Sequence, residues 1–308
     1  YVSNFFQLFG ILILAGVLVV LVALAYIYQG PLKKWQNNLG KPKNFLAGID
    51  SGKIDKIEIT SGGNIIVLAK QGEQWKYGGS KDFYADPKIM ANVLAGLKTA
   101  AAVEVELVSN NRQRKSEFKT DDSGLKVKIY QADKQAADFV VASVAGDFDS
   151  SYISTAAEAS TYFVNAGLAS AFSPTEWRDL TIFSAADGKI NKIRFQYPNR
   201  EFSVELIKSK WVGILPDKFA VNQEKIGRIA ELMAALKAAR LPEQTFTGTG
   251  LAKHLLIVAA SGEAVDNVLM IGQAMGDLFY AKRGDSDNIY LIDKAIRDEL
   301  DQARLLYQ

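Results

Sequence analysis

Apolar residues fill the stretch from Phe5 to Tyr28, interrupted only by Gln7, Gly10 and Gly16, and no acidic or basic residue precedes Lys33. As a helix the run would reach about 36 Å at ~1.5 Å per residue, more than the ~30 Å hydrocarbon core, so it predicts one transmembrane helix. Tyr26, Tyr28 and Trp35 suit the headgroup layers, Lys33 and Lys34 follow the span, and Pro31 marks the helix exit. A cleaved signal peptide, the rival reading, would have an apolar core of only ~7–15 residues. Ala15, Val19 and Ala23 share one face of the helix, and the two small residues would let another membrane helix pack closely. Plain exposure of that face to lipid is the competing reading.

Beyond the span the hydrophobic pattern repeats. Residues 52–97 lie over 188–233 without a gap, placing Gly52-Lys53-Ile54-Asp55-Lys56-Ile57 on Gly188-Lys189-Ile190-Asn191-Lys192-Ile193. The same shift sets Trp75 on Trp211, Phe83 on Phe219, Asp86 on Asn222, Val93 on Ile229 and Leu97 on Met233. Further on a shorter shift pairs Phe118 with Phe246, Ile129 with Ile257, Val140 with Val268, Tyr152 with Tyr280 and Tyr162 with Tyr290. The change falls where the first copy carries Asn110-Asn111-Arg112-Gln113-Arg114-Lys115, read as a surface insertion. A period of about 120 residues is far longer than the ~20–50 of stacked solenoid repeats, so two copies of one domain are expected.

Each copy predicts the same order of elements. Ile54, Ile57 and Ile59 open a strand, Gly62-Gly63-Asn64 turns it, Ile65 to Leu68 returns, and Trp75 to Tyr77 starts a third strand. Asp86-Pro87 reads as N-cap and first helical residue, with Ile89, Met90, Val93, Leu94 and Leu97 on one face. Its counterpart starts at Asn222 and is expected to run to about Leu241-Pro242. Strands resume at 125–130, 138–144, near 152 and at 161–164, matched by 254–259, 267–271, 278–281 and 288–292. Short helices, 168–172 and 295–305, end the copies. Strand runs split by helices, with hairpin-sized links, favour an α+β fold with mainly antiparallel sheets and packed helices over a doubly wound one. The expected organisation is an anchor (1–32), a juxtamembrane linker (33–50), a first repeat domain (51–172), a linker (173–187) and a second repeat domain (188–308).

Several of these segments carry a family resemblance. The strand Ile54 to Ile59, Trp75, the helix start Tyr84-Ala85-Asp86, the link Trp177-Arg178-Asp179-Leu180, Ile271-Gly272, Tyr280-Ala281-Lys282 and Asn288 to Ile292 stand in the order of one family. The chain resembles a domain of unknown function found in bacterial membrane-anchored proteins and often encoded beside gliding-motility-type ABC transporter components. The first copy departs from it, carrying Val144 where the second has Gly272. The resemblance implies an anchored, noncatalytic accessory protein of the bacterial inner membrane with an extracytoplasmic, periplasmic body, and it transfers no catalytic residues. Lys33, Lys34, Lys41 and Lys43 on the body side argue instead for a cytoplasmic body, a bias that long translocated domains override.

Composition adds mainly exclusions. A net charge of +2 gives no nucleic-acid footprint. His254 is the single histidine and cysteine is absent, which removes His/Cys zinc cages and Cys-His nucleophile pairs. Gly248-Thr249-Gly250 with Lys253 lacks the G-x-x-x-x-G-K-[ST] spacing of a phosphate loop and reads as a turn. Asp121-Asp122-Ser123-Gly124, Asp147-Phe148-Asp149 and Asp285-Ser286-Asp287-Asn288 could offer oxygens to calcium, but none matches an EF-hand, and turn chemistry is the simpler reading. Glu104 and Glu106 alternate with Val103, Val105 and Leu107, as on a half-exposed strand, and a glycosidase pair ranks low. No catalytic, cofactor-binding or metal residue is therefore expected, and no cofactor.

The expected function is a single-pass accessory or scaffold subunit that docks on other integral membrane subunits, with an ABC transporter of the gliding-motility type as candidate complex. Besides the bilayer and those subunits, no nucleic acid and no small-molecule substrate is expected as a partner. Lys33, Lys34, Trp35, Arg112, Arg114 and Lys115 are the candidate contacts with partner or lipid. The alternative is an extracytoplasmic binding module for an envelope polymer or small ligand, and a hydrolase ranks last.

Overall fold

The computed structural model describes residues 18–23, 25, 26, 28, 41–79, 81–185 and 189–301. The first half of the predicted span, Ala15 included, lies outside them, as do Lys33, Lys34 and Trp35. Among the described residues no helix is long and apolar enough to cross a membrane. Val19 and Ala23 are helical and exposed.

In chain order the strands are β1 Ile54–Ser61, β2 Asn64–Gln71, β3 Gln74–Tyr77, β4 Phe83–Tyr84, β5 Val105–Ser109, β6 Leu125–Gln131, β7 Lys134–Val144, β8 Asp147–Ser154 and β9 Thr161–Val164. They continue with β10 Thr181–Ser184, β11 Ile190–Tyr197, β12 Arg200–Ile207, β13 Lys210–Leu215, β14 Ala235–Lys237, β15 Leu256–Gly262, β16 Val265–Met275, β17 Leu278–Arg283 and β18 Ile289–Asp293. The α-helices are α1 Pro87–Ala102, α2 Leu168–Ala171, α3 Gln223–Ala234 and α4 Lys294–Leu300. By their internal contacts the described residues fall into two compact units, one drawn from 1–52, 95–128 and 135–172, the other from 53–94, 129–134 and 173–308. The units interleave along the chain and cross the repeat boundaries read from the sequence.

In the larger unit β11 to β13 and β15 to β18 form a seven-stranded antiparallel sheet, ordered β13-β12-β11-β15-β16-β17-β18. Period-two alternation sends Ile193, Phe195, Val204, Val258, Leu269 and Ile271 into one core, where Ile226, Ile229 and Met233 of α3 meet them. Asn222 caps α3 by accepting the Lys225 N–H at 3.1 Å. The helix stops at Ala234, short of the expected Leu241, because the next residues turn extended and pair with β10, Leu236 opposite Phe183. The described part of the predicted linker, 173–185, is thus structured: Trp177, Ile182 and Phe183 are buried.

β1 to β4 also belong to this unit, and their registers repeat those of β11 to β13. Ile57 faces Leu68 as Ile193 faces Val204. Lys70 faces Trp75 as Leu206 faces Trp211, and Tyr77 faces Phe83 as Gly213 faces Phe219. Later elements repeat too, Tyr152 facing Phe163 as Tyr280 faces Leu291. One stretch of the sequence alignment needs correction. β6 and β15 are both seven residues long and β7 and β16 both eleven, which sets Ile129 on Ala260 and Val140 on Ile271 rather than on Ile257 and Val268. Burial agrees, since Ile129, Ala260 and Ile271 are fully buried while Ile257 and Val268 are not. A slip of three residues reverses the face of every side chain.

In the smaller unit β7, β8, β9 and β5 pair antiparallel in that order. Phe139 packs against Phe45 and Phe172 in its core. Asn44 donates to the carbonyls of Ala100 and Val103 at 2.7 and 2.9 Å, capping the end of α1, and Leu46 and Ile49 are buried. This part of the predicted linker is packed structure. Leu107, expected to face inward, is half exposed because a register shift between Leu107 and Ser109 breaks the alternation of β5.

Candidate functional site

Three of the segments that carried the resemblance, Trp75, Tyr84-Ala85-Asp86 and Trp177 to Leu180, meet in the larger unit where β3, β4 and the start of α1 join the strand-like link after Trp177. Ala85 donates its N–H to the Trp75 carbonyl at 2.7 Å, Asp86 to Trp177 at 2.8 Å, and Asp179 to Tyr84 at 2.8 Å. The side chain of Asp86 caps α1, accepting from the N–H groups of Lys88 at 2.7 Å and Ile89 at 3.4 Å, with Pro87 as the first helical residue. Beside this knot Arg178 lies over the rings of Tyr77 and Phe83, at 5.7 and 5.3 Å, and pairs with Glu176 at 2.6 Å. Burial opposes ionisation of Glu176, but the hydrogen bonds from Arg178 outweigh it and hold the carboxyl below its ordinary range. The same Glu176 raises Arg178.

A cavity of 220 Å³ opens here. Its apolar wall is Trp75, Ala85, Met90 and Leu94, and Glu73, Tyr84 and Asp179 add polar groups. Among the described residues neither Glu73 nor Asp179 has a cationic partner; Asp179 only accepts the Thr181 N–H at 2.9 Å.

The second copy is built differently at the same place. Gln223, standing where the first copy has Pro87, accepts the Trp211 N–H at 2.7 Å and donates to the Trp211 carbonyl at 2.8 Å. Phe219 lies so close to Gly213 that an added Cβ would come within 2.4 Å of its ring. Ser209 and Lys210 replace Glu73 and Gln74, removing the acid and adding a base.

The remaining sequence candidates have structural partners. Lys115 is buried and donates to the Thr155 carbonyl at 2.8 Å, so its charge is not offered to lipid or partner. Arg112 reaches the carbonyls of Ala156 and Ala157, and Arg114 pairs with Glu117 at 2.9 Å. Glu104 pairs with Lys41 at 2.8 Å and Glu106 is exposed. Thr249 is buried, donates to the Phe246 carbonyl at 2.8 Å and accepts the Leu251 N–H, so Gly248-Thr249-Gly250 is a turn against Gly272 and Gln273. His254 is half-buried just after it. Asp285 pairs with Arg283 and Asp287 with Lys282, while Asn288 donates to the Asp82 carbonyl at 2.9 Å. No cluster of three or more acidic or histidine side chains able to hold a metal occurs among the described residues.

Sequence reasoning named Trp75, Tyr84 and Asp179 as pattern residues but did not join them into a cavity. The signal available was a set of replacements between the copies, Glu73-Gln74 by Ser209-Lys210, Tyr84 by Ala220 and Pro87 by Gln223, beside the matched tryptophan.

Fold and site define a duplicated, mainly antiparallel α+β protein whose two copies differ beside a matched tryptophan. Residues 75–242 and 211–305 match the family described as Domain of unknown function (DUF4340), and the chain belongs to it. The two matches begin at Trp75 and Trp211, equivalent positions of the two copies. No curated protein and no solved structure matches the chain.

Proposed function

We propose that the chain is a noncatalytic accessory subunit, held in the bacterial inner membrane by its N-terminal apolar run, whose twin copies dock on a larger membrane complex. The observation that carries this reading is the divergence of the copies: strand registers repeat from β1–β3 to β11–β13, while beside the matched tryptophan the acid Glu73 and the ring of Tyr84 give way to Ser209 and Ala220, and Gln223 clamps the Trp211 backbone. A scaffold kept in duplicate with one altered face suits recognition. The run Phe5 to Tyr28 supports the anchor by its length and lack of charge. Confinement to the membrane plane raises the effective concentration of partners without strong contacts. An ABC transporter of the gliding-motility type is the candidate complex, with the body on the periplasmic side.

A small-ligand module is less well supported, because 220 Å³ falls below the ~300–1,000 Å³ of ordinary ligand pockets. Purification of the full chain from its own membranes in mild detergent, with mass-spectrometric identification of what accompanies it, tests the proposal. A stoichiometric integral-membrane companion is expected. A monodisperse monomer without one overturns the subunit reading.

A further inference from the structure

We infer that the cavity beside Trp75 is a socket for one arginine side chain of a partner polypeptide. The inference rests on the docking reading and names the chemistry of the docked group.

The chain supplies its own precedents. Arg178 lies over Tyr77 and Phe83 and pairs with Glu176; Arg283 lies over Phe183 and pairs with Asp285; Arg297 lies over Phe279 and pairs with Asp298 and Asp301. In each a planar guanidinium meets an aromatic ring and a carboxylate together; Lys56 does the same over Tyr130 beside Glu58, but only a guanidinium stacks flat on a ring while forking to a carboxylate. At the cavity the rings are Trp75 and Tyr84 and the carboxylates Glu73 and Asp179, and among the described residues no cation completes the set. At 220 Å³ the space suits one side chain rather than a cofactor. The start of α1 carries a partial positive charge that would oppose a cation, but Asp86 already accepts two of its N–H groups and offsets that charge. In the second copy Ser209 stands for Glu73, Lys210 for Gln74 and Ala220 for Tyr84, so the acid and the second ring are missing and the socket belongs to the first copy alone.

The test uses the full chain in lipid nanodiscs and acetylated pentapeptide amides with a central arginine or its neutral isostere citrulline among alanines, followed by the NMR signal of the Trp75 indole N–H. The arginine peptide is expected to shift that signal saturably, and the citrulline peptide to bind about tenfold or more weakly. The Glu73→Gln/Asp179→Asn double variant, which keeps an acceptor for Thr181, is expected to weaken the arginine peptide to the same degree at an unchanged unfolding midpoint. Glu205→Gln, on β12, is expected to leave binding as it is. No shift, equal binding of citrulline, or binding unchanged in the double variant overturns the socket. If a membrane companion still copurifies with the double variant, the socket falls while the subunit reading stands.

Discussion

Gln223 donates to the Trp211 carbonyl at 2.8 Å and accepts that residue's N–H at 2.7 Å, so one side chain satisfies both outward backbone groups of an edge-strand residue. The opposite edge is closed the same way. Gln244 accepts the Ile289 N–H and donates to the Ile289 carbonyl, both at 2.9 Å, while Leu291 bonds Arg240 and Ala239. An open edge is a template for pairing with another chain, and these clamps remove it at both ends of the seven-stranded sheet. Docking through those edges is therefore disfavoured, and the faces and the cavity remain for it.

Gln223→Ala should cost about 1–3 kcal/mol of stability, because two backbone groups lose their partner. Gln223→Glu keeps the acceptor but sets a carboxylate against the Trp211 carbonyl, so its loss should shrink as acid protonates the new side chain. Urea midpoints measured across the acid range check both outcomes.

Two glycine substitutions should act in opposite directions. A Cβ on Gly272 would lie 2.2 Å from the Thr249 carbonyl oxygen, a backbone atom, so Gly272→Ala should destabilise by about 1–3 kcal/mol. Gly227 sits inside α3 with open space around it, and Gly227→Ala should stabilise by about 0.5–1 kcal/mol. Calorimetric unfolding of the two variants measures the contrast.

Burial first, and then the charge of Arg112, lowers the Lys115 pKa from its ordinary 10.5. In alkaline solution below 10.5 the unfolded chain binds more protons at this site than the folded one, so this lysine makes stability rise with pH. Lys115→Met should flatten that rise. A midpoint series from neutral pH to 10.5 tests it, and an unchanged slope contradicts the burial.

Glu176 behaves in the opposite sense. Its depressed carboxyl adds stability that is present above its ordinary value of 4.5 and is lost as pH falls through the lower folded value. Glu176→Gln should remove this step from the acid unfolding curve. Arg178→Lys should weaken the knot even at neutral pH, because an ammonium cannot make the fork to Glu176 while lying over both rings.

The sequence was most legible where periodicity and spacing carried the information. The β1–β3 meander, the Trp75 and Trp211 match, the caps at Asp86 and Asn222, and the buried faces of α1 and α3 all stand where local pattern put them. The slip at Ile129 arose because Ile257 resembles it chemically, whereas its true counterpart, Ala260, is small and reads weakly as core. Ala235 to Lys237 have good helix propensity, and pairing with β10 overrides it. Burial of Lys115 depends on Thr155 and the cavity on bringing residues 73–94 to Asp179, and neither relationship leaves a periodic trace.

Native mass spectrometry of the full chain released directly from its own membranes is the most direct test of the account. A dominant species heavier than the denatured protein by a fixed increment, matching an integral-membrane companion, is the predicted result. A dominant species at the mass of the denatured protein alone, with no companion at any detergent strength, would contradict it.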